Sequence, residues 1–225
     1  MAMATALNHP IDPATVEPRV ARSQNAFGAL EFPGAARRYG RNEEIFGEGG
    51  RADYFYRILT GTVRLYRVLA DGRRQIAAFQ FEGDVFGVEA SDYRHLSAEA
   101  VSDCEIVATP RSAMLRHAER NGDFAHRMWA RAVTDLAEAH DHMLVLGRQT
   151  AAEKVMSFLG DVAGRQGTGT LVKLTMSRQD IADYLGLTIE TVSRTLTQLE
   201  RRGALEVQSA RRIELRSNPQ RPLDS

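Results

Sequence analysis

Apolar positions along this chain change period, and each change marks a different kind of element. From about Phe27 to Ala108 the runs are short, alternating and broken by glycine. Val63 and Leu65 share one face of Thr62-Val63-Arg64-Leu65-Tyr66, and Ala77, Phe79 and Phe81 recur at period two. Asp71-Gly72 is a tight-hairpin dipeptide, and more turn signals stand at Gly47-Glu48-Gly49-Gly50, Thr60-Gly61 and Glu82-Gly83-Asp84. This spacing predicts a small antiparallel β-roll, not a parallel sheet with crossover helices. Between Asp123 and Gly147 the chain has neither Pro nor Gly, which predicts a long helix that Asn121 or Asp123 caps. On it Trp129, Val133, Leu136, His140 and Met143 step by four, three, four and three, the spacing of a coiled-coil seam. A helix packed on its own roll would carry a similar stripe, so the pattern alone leaves self-association open.

A second helix is predicted from Thr150 to Leu159, with Val155, Phe158 and Leu159 as its apolar positions. A Gly-rich break follows at Gly164, Gly167 and Gly169. Beyond it, Ser177 caps a short helix whose inner face holds Ile181, Ala182 and Leu185, and Gly186 supplies the residue that tolerates positive φ where the helix stops. Thr188 caps the next helix, and Val192, Leu196 and Leu199 form its buried stripe. Two short helices joined by a Gly turn make a helix-turn-helix. Leu205-Glu206-Val207 and Arg212-Ile213-Glu214-Leu215 then alternate around Ser209-Ala210, which predicts a β-hairpin wing.

Off the buried stripe, the N-terminal turns of the second helix carry Ile189, Glu190, Ser193 and Arg194, the end that enters the major groove in helix-turn-helix proteins. Arg194 has the geometry to donate twice to guanine O6 and N7, Glu190 to accept from cytosine N4, and Ile189 to touch a thymine methyl. Ser193 reads a base edge or binds phosphate. The bland alternative is an exposed Glu190–Arg194 ion pair worth about 0.3–0.5 kcal/mol. Arg178, Arg211 and Arg212, with the hydroxyls of Thr188 and Thr191, are the candidate phosphate contacts, which set register without reading sequence.

Bulk charge changes this picture little, because 29 Lys+Arg balance 29 Asp+Glu. Its distribution changes it more: residues 148–225 hold 12 Lys+Arg to 9 Asp+Glu, and residues 1–147 hold 17 to 20. The excess of three positive charges therefore lies in the half that would meet phosphates. The single cysteine, Cys104, excludes a four-cysteine zinc site and a thiolate-ligated iron–sulfur cluster, and fits a cytoplasmic protein. No run of about 18 apolar residues occurs, so no bilayer span is expected. Nucleophile elbow, P-loop and H-E-x-x-H motifs are absent, and an enzyme is not expected.

The stretch Asp183 to Arg194, D-Y-L-G-L-T-I-E-T-V-S-R, resembles the recognition region of the CRP/FNR superfamily. Glu190-x-x-Ser193-Arg194 matches the E-x-x-S-R signature of its FNR and FixK branch. The resemblance implies an α+β fold with an N-terminal antiparallel β-roll of the cyclic-nucleotide-binding kind, a long dimerisation helix and a C-terminal winged helix-turn-helix. The corresponding divisions are a flexible arm over 1–24, the sensor-like roll over 25–120, the dimerisation helix over 121–147 and the DNA-binding domain over 148–225. It further implies a homodimeric transcription regulator, an activator reading a TTGA…TCAA-type palindrome in double-stranded DNA. Implied targets are low-oxygen or nitrogen-fixation genes, with RNA polymerase as a partner. The Trp129 to Met143 seam becomes the dimer interface.

Cyclic-nucleotide members hold the phosphate with an Arg-Ser or Arg-Thr pair, whereas the matching stretch here runs Gly83-Asp84-Val85-Phe86-Gly87 and then Arg94-His95. Regulation by a cyclic nucleotide, or by haem through His95 or Cys104, is therefore the alternative and not the expectation. His95 reads as a loop residue and Cys104 as a small buried hydrophobe. His140 and His142 are two apart on a helix and form no metal pair. Neither metal nor cofactor is expected, and a module that binds protein instead of DNA is the remaining alternative.

Overall fold

The computed structural model describes residues 34–148 and 150–216; the arm expected over 1–24 lies outside them. Eight strands make the roll: β1 (Ala35–Tyr39), β2 (Glu44–Phe46), β3 (Tyr54–Thr60), β4 (Val63–Val68), β5 (Arg74–Gln80), β6 (Val85–Phe86), β7 (Ser97–Ala100) and β8 (Cys104–Pro110). They form two antiparallel four-stranded sheets, in the orders β1-β8-β3-β6 and β2-β7-β4-β5. Alternation explains their interior, where Ile58, Val63 and Ile106 are wholly buried. Each such side chain removed from water contributes about 1.5–3 kcal/mol.

The period-two reading of Ala77, Phe79 and Phe81 needs correction. Leu65 pairs with Ala78 and Tyr66 with Ile76, so Ala77 is the extra residue of a β-bulge and is exposed. The bulge turns Ile76 and Phe79, not Ala77, into the core.

A helix absent from the sequence reading, α1 (Arg111–Arg120), follows the roll inside the stretch assigned to it. Its Met114 packs with Phe55, Val85 and Phe124. Helix α2 (Gly122–Arg148) comes next, and Asn121 Oδ1 accepts the Phe124 amide at 3.0 Å as its cap. Helix α3 (Ala151–Gln166) outruns the expected end at Leu159. Gly164 lies within it, and Gly167, at φ 62°, closes it. Burial of Phe158, Leu159, Val162 and Ala163 outweighs the low helix propensity of Gly160 and Gly164. Thr150 and Glu153 form a capping box at its start.

The C-terminal part comprises β9 (Leu171–Lys173), α4 (Arg178–Leu185), α5 (Ile189–Arg201), β10 (Leu205–Ser209) and β11 (Arg212–Leu215), with β9 joining the wing hairpin in the sheet β10-β11-β9. Its core is continuous with the roll: Ile76, Phe79 and Val101 are buried together with Phe158, Ile181, Leu196 and Ile213. Among the described residues no helix is long and apolar enough to cross a membrane.

Candidate nucleic-acid interface

Local chemistry builds α4 and α5. Ser177 Oγ accepts the Asp180 amide at 3.1 Å while Asp180 Oδ2 accepts the Ser177 amide at 2.9 Å, a reciprocal cap. Gly186 takes φ 63°, where a side chain would be strained, and Leu187 N donates to Ala182 O at 3.0 Å across the turn. Thr188 Oγ1 then accepts the Thr191 amide at 3.2 Å and starts α5. Val192, Thr195, Leu196 and Leu199 face the core.

The opposite face is open. Ile189, Glu190, Ser193 and Arg194 are all exposed in the first turns of α5. Glu190's own amide and then the Thr188 hydroxyl stabilise its carboxylate and hold its pKa below the usual glutamate value. The expected alternative of a Glu190–Arg194 pair is not what forms: among the described residues Arg194 has no hydrogen-bond or ion-pair partner. Both side chains face solvent, Arg194 without a partner among the described residues and Glu190 held only by its own amide and the Thr188 hydroxyl.

The phosphate candidates occupy two places. Thr188 is exposed and Thr191 half-buried at the start of α5. Arg211, at the wing tip, donates through Nη1 to Thr175 O at 3.2 Å, which ties the tip to the segment leading into Ser177 and the half-buried Arg178. Burial lowers the Arg178 pKa from its usual value. Arg212 is exposed and lies opposite Lys173 in the β9–β11 ladder, a cation the sequence reading did not single out. Its signal was a short strand, hidden behind Gly167 and Gly169.

On α2 the stripe residues Trp129, Val133, Leu136, His140 and Met143 are exposed, Trp129 at 70% and Met143 at 60%. Leu144, 62% exposed, extends the stripe and was also missed. Single exposed apolar residues are ordinary, whereas a row along one helix marks an interaction face.

In the roll, the candidate anion site Arg94 is engaged by the chain itself. Arg94 is 2% exposed, its guanidinium donates to Gly87 O at 2.6 Å and to Tyr54 O, and it lies 4.2 Å from the Phe46 ring centroid. Its two terminal nitrogens are thus engaged within the chain, while its buried Nε has no hydrogen-bond partner among the described residues. His95 is exposed, with Nε2 3.3 Å from Ser91 Oγ. Cys104 is buried, and burial raises its thiol pKa away from the reactive range.

The α4–α5 unit is also fastened to the rest of the chain, through contacts that sequence reasoning did not find. Asp180, 3% exposed, accepts from Arg64 Nη1 at 3.1 Å and Arg74 Nη2 at 2.6 Å, and Asp183 accepts from Arg74 at 2.8 Å. Buried Lys154 donates to Leu146 O at 3.0 Å and Leu185 O at 3.4 Å, one cation at the C-terminal ends of two helices.

A roll, a long helix with a bare apolar stripe and a winged helix-turn-helix with an open reading face define a two-part bacterial transcription regulator. Residues 36–121 match the cyclic nucleotide-binding domain, and residues 174–205 match the crp family of bacterial regulatory proteins. The chain is 46% identical over 211 residues to the nitrogen fixation regulation protein FixK of Azorhizobium caulinodans, spanning 91% of this chain and 84% of that protein. It is 44% identical over 168 residues to the transcriptional activatory protein AadR of Rhodopseudomonas palustris, spanning 73% and 70%. The solved structure of FixK2 from Bradyrhizobium japonicum superimposes with a TM-score of 0.78 at 45% identity, covering 82% of this chain and 93% of that one. The chain belongs to the CRP/FNR family of transcription regulators, among its FixK-like members.

Proposed function

We propose that two copies of this chain pair through the Trp129 to Leu144 stripe and bind a TTGA…TCAA-type palindrome, one recognition helix in each half-site. The observation that carries this reading is the outward, exposed set of Ile189, Glu190, Ser193 and Arg194 at the N-terminus of α5. Arg194 reads guanine, Glu190 reads cytosine, Ile189 meets a thymine methyl, and Ser193 contacts a base edge or phosphate. Arg178, Thr188, Thr191, Arg211 and Arg212 hold the phosphates. Pairing of the α2 helices supplies the two-fold axis that a palindrome requires.

The protein acts in the cytoplasm without a cofactor, as an activator that recruits RNA polymerase to genes of nitrogen fixation or low-oxygen metabolism, and catalyses no reaction. Its similarity to FixK and AadR supports the targets and the sign of regulation, and Arg94's engagement with carbonyls supports the effector-free state.

The test is selection of duplexes from a random pool by the purified, ligand-free protein. A palindrome with TTGA half-sites is the expected product. Recovery of no common sequence, or of one only after a cyclic nucleotide is added, would overturn the reading.

A further inference from the structure

Helix α4 is anchored on three sides. Towards the roll, Arg64 and Arg74 from neighbouring strands converge on Asp180, and Arg74 also reaches Asp183. Arg64 is held in turn by Glu99 and, at 3.3 Å, by Asn42 Oδ1. Towards α2, the Tyr184 ring stacks on His142 with centroids 4.0 Å apart and planes 13° from parallel. Phe79 of the roll and Phe158 of α3 pack on the same tyrosine, at 5.3 Å and 5.6 Å. Towards α3, Lys154 holds the carbonyl of Leu185.

Only Gly186, Leu187 and Thr188 separate α4 from α5, and their backbone is pinned by the Leu187-to-Ala182 hydrogen bond. The direction of α5 therefore follows that of α4. All these anchors leave Ile189, Glu190, Ser193 and Arg194 exposed, so the docking presents the reading face and does not cover it.

We infer that the roll positions the recognition helix through Arg74 and Asp183, with the buried Arg64–Asp180 pair beneath them, and thereby sets the half-site spacing that the protein accepts. The inference rests on the palindrome reading above. Arg74 and Asp183 are positioning residues that touch no base. Without Arg74, among the described residues Asp183 keeps only the Gln179 amide and Asp180 only Arg64 as its cation, both largely out of water, and the contact between roll and α4 weakens. The two reading helices of a dimer then lose their set separation while each keeps its own contacts to a half-site.

The experiment uses the full chain and four duplexes: the selected palindrome, versions with the spacer about two base pairs longer or shorter, roughly a fifth of a helical turn, and a single half-site. Arg74→Glu is expected to lower affinity for the palindrome about tenfold, within the usual range of coupling between sites. It is expected to leave half-site affinity and dimer assembly unchanged, and to erase the preference for the native spacer. Combining Arg74→Glu with Asp183→Arg is expected to restore affinity and spacer preference in part, since the introduced carboxylate regains a cation at position 183 but still faces Asp180. Arg74→Gln, which introduces no repulsion, gives the same pattern more weakly and serves if the charge reversal does not fold. Wild-type affinity and spacer preference in the Arg74 variants overturns the inference, as does an equal loss on palindrome and half-site that the swap does not repair. If the unaltered protein selects no palindrome at all, the underlying reading fails, and this inference with it.

Discussion

Arg194 and Arg212 are both exposed cations of the winged domain, but their surroundings assign them different work. Among the described residues Arg194 sits in the first turns of α5 without a partner, beside a glutamate whose own amide holds its carboxyl below the usual pKa. Arg212 lies in the wing, one strand from Lys173. Arg194→Ala is expected to cost about 1–3 kcal/mol on the palindrome and to relax preference at one base pair. Arg212→Ala is expected to weaken specific and random DNA alike and to reduce the slope of log affinity against log salt by about one. Titrations on both kinds of DNA at several salt concentrations separate the two, and equal behaviour would cancel the distinction between reading and holding. These side chains were legible in the sequence because a helix start, a cap and a four-residue step are local facts. That Arg194 stays unpaired was not legible, since an i, i+4 glutamate and arginine write the same letters whether or not they meet.

Whole elements divide in the same way. The capping boxes of α3 and α4 announce themselves as Thr150-x-x-Glu153 and Ser177-x-x-Asp180, because the donors and acceptors lie three residues apart. Thr150→Ala should cost about 1 kcal/mol in urea unfolding at pH 7. The Thr150 amide and hydroxyl depress the Glu153 pKa below its ordinary 4.5. Its contribution is therefore present above that ordinary value and is lost as the pH falls through the folded one. The difference between wild type and variant should shrink over that acidic range, and a constant difference would show that the Thr150 hydroxyl takes no part in holding Glu153, whose bond to the Thr150 amide the variant keeps. The end of α3 was read too early because glycine propensity favoured a break, whereas burial of Phe158, Leu159 and Val162 decided otherwise. On α2 the stripe is exposed, and the proposed pairing would cover it. Leu136→Lys should move the protein from dimer to monomer in sedimentation, since an exposed lysine costs a monomer little and a buried one costs a dimer much. A dimer of unchanged affinity would place the interface elsewhere.

Across the whole molecule, roll and winged domain share one core and one set of ion pairs, so unfolding should be a single event. Phe79→Ala removes a ring that touches both Phe158 and Tyr184 and should cost about 3–5 kcal/mol. Calorimetry should show one transition shifted as a unit; two separate transitions would mean that the halves are stable alone. None of this coupling is visible in the periodicity. Arg64 and Asp180 are 116 residues apart, and the bulge at Ala77 that turns Phe79 inward depends on the strand beside it. By itself the order of residues determined where α2 to α5 and the wing begin, which face of α5 is apolar, and which side chains stand at its start, because capping and alternation act over a few neighbours. Only the tertiary structure decided which charges meet, which cation turns to backbone carbonyls, and that the α2 stripe stays uncovered by the described residues of its own chain. An apolar stripe has the same period whatever comes to cover it, and a distant partner leaves no mark on the local pattern.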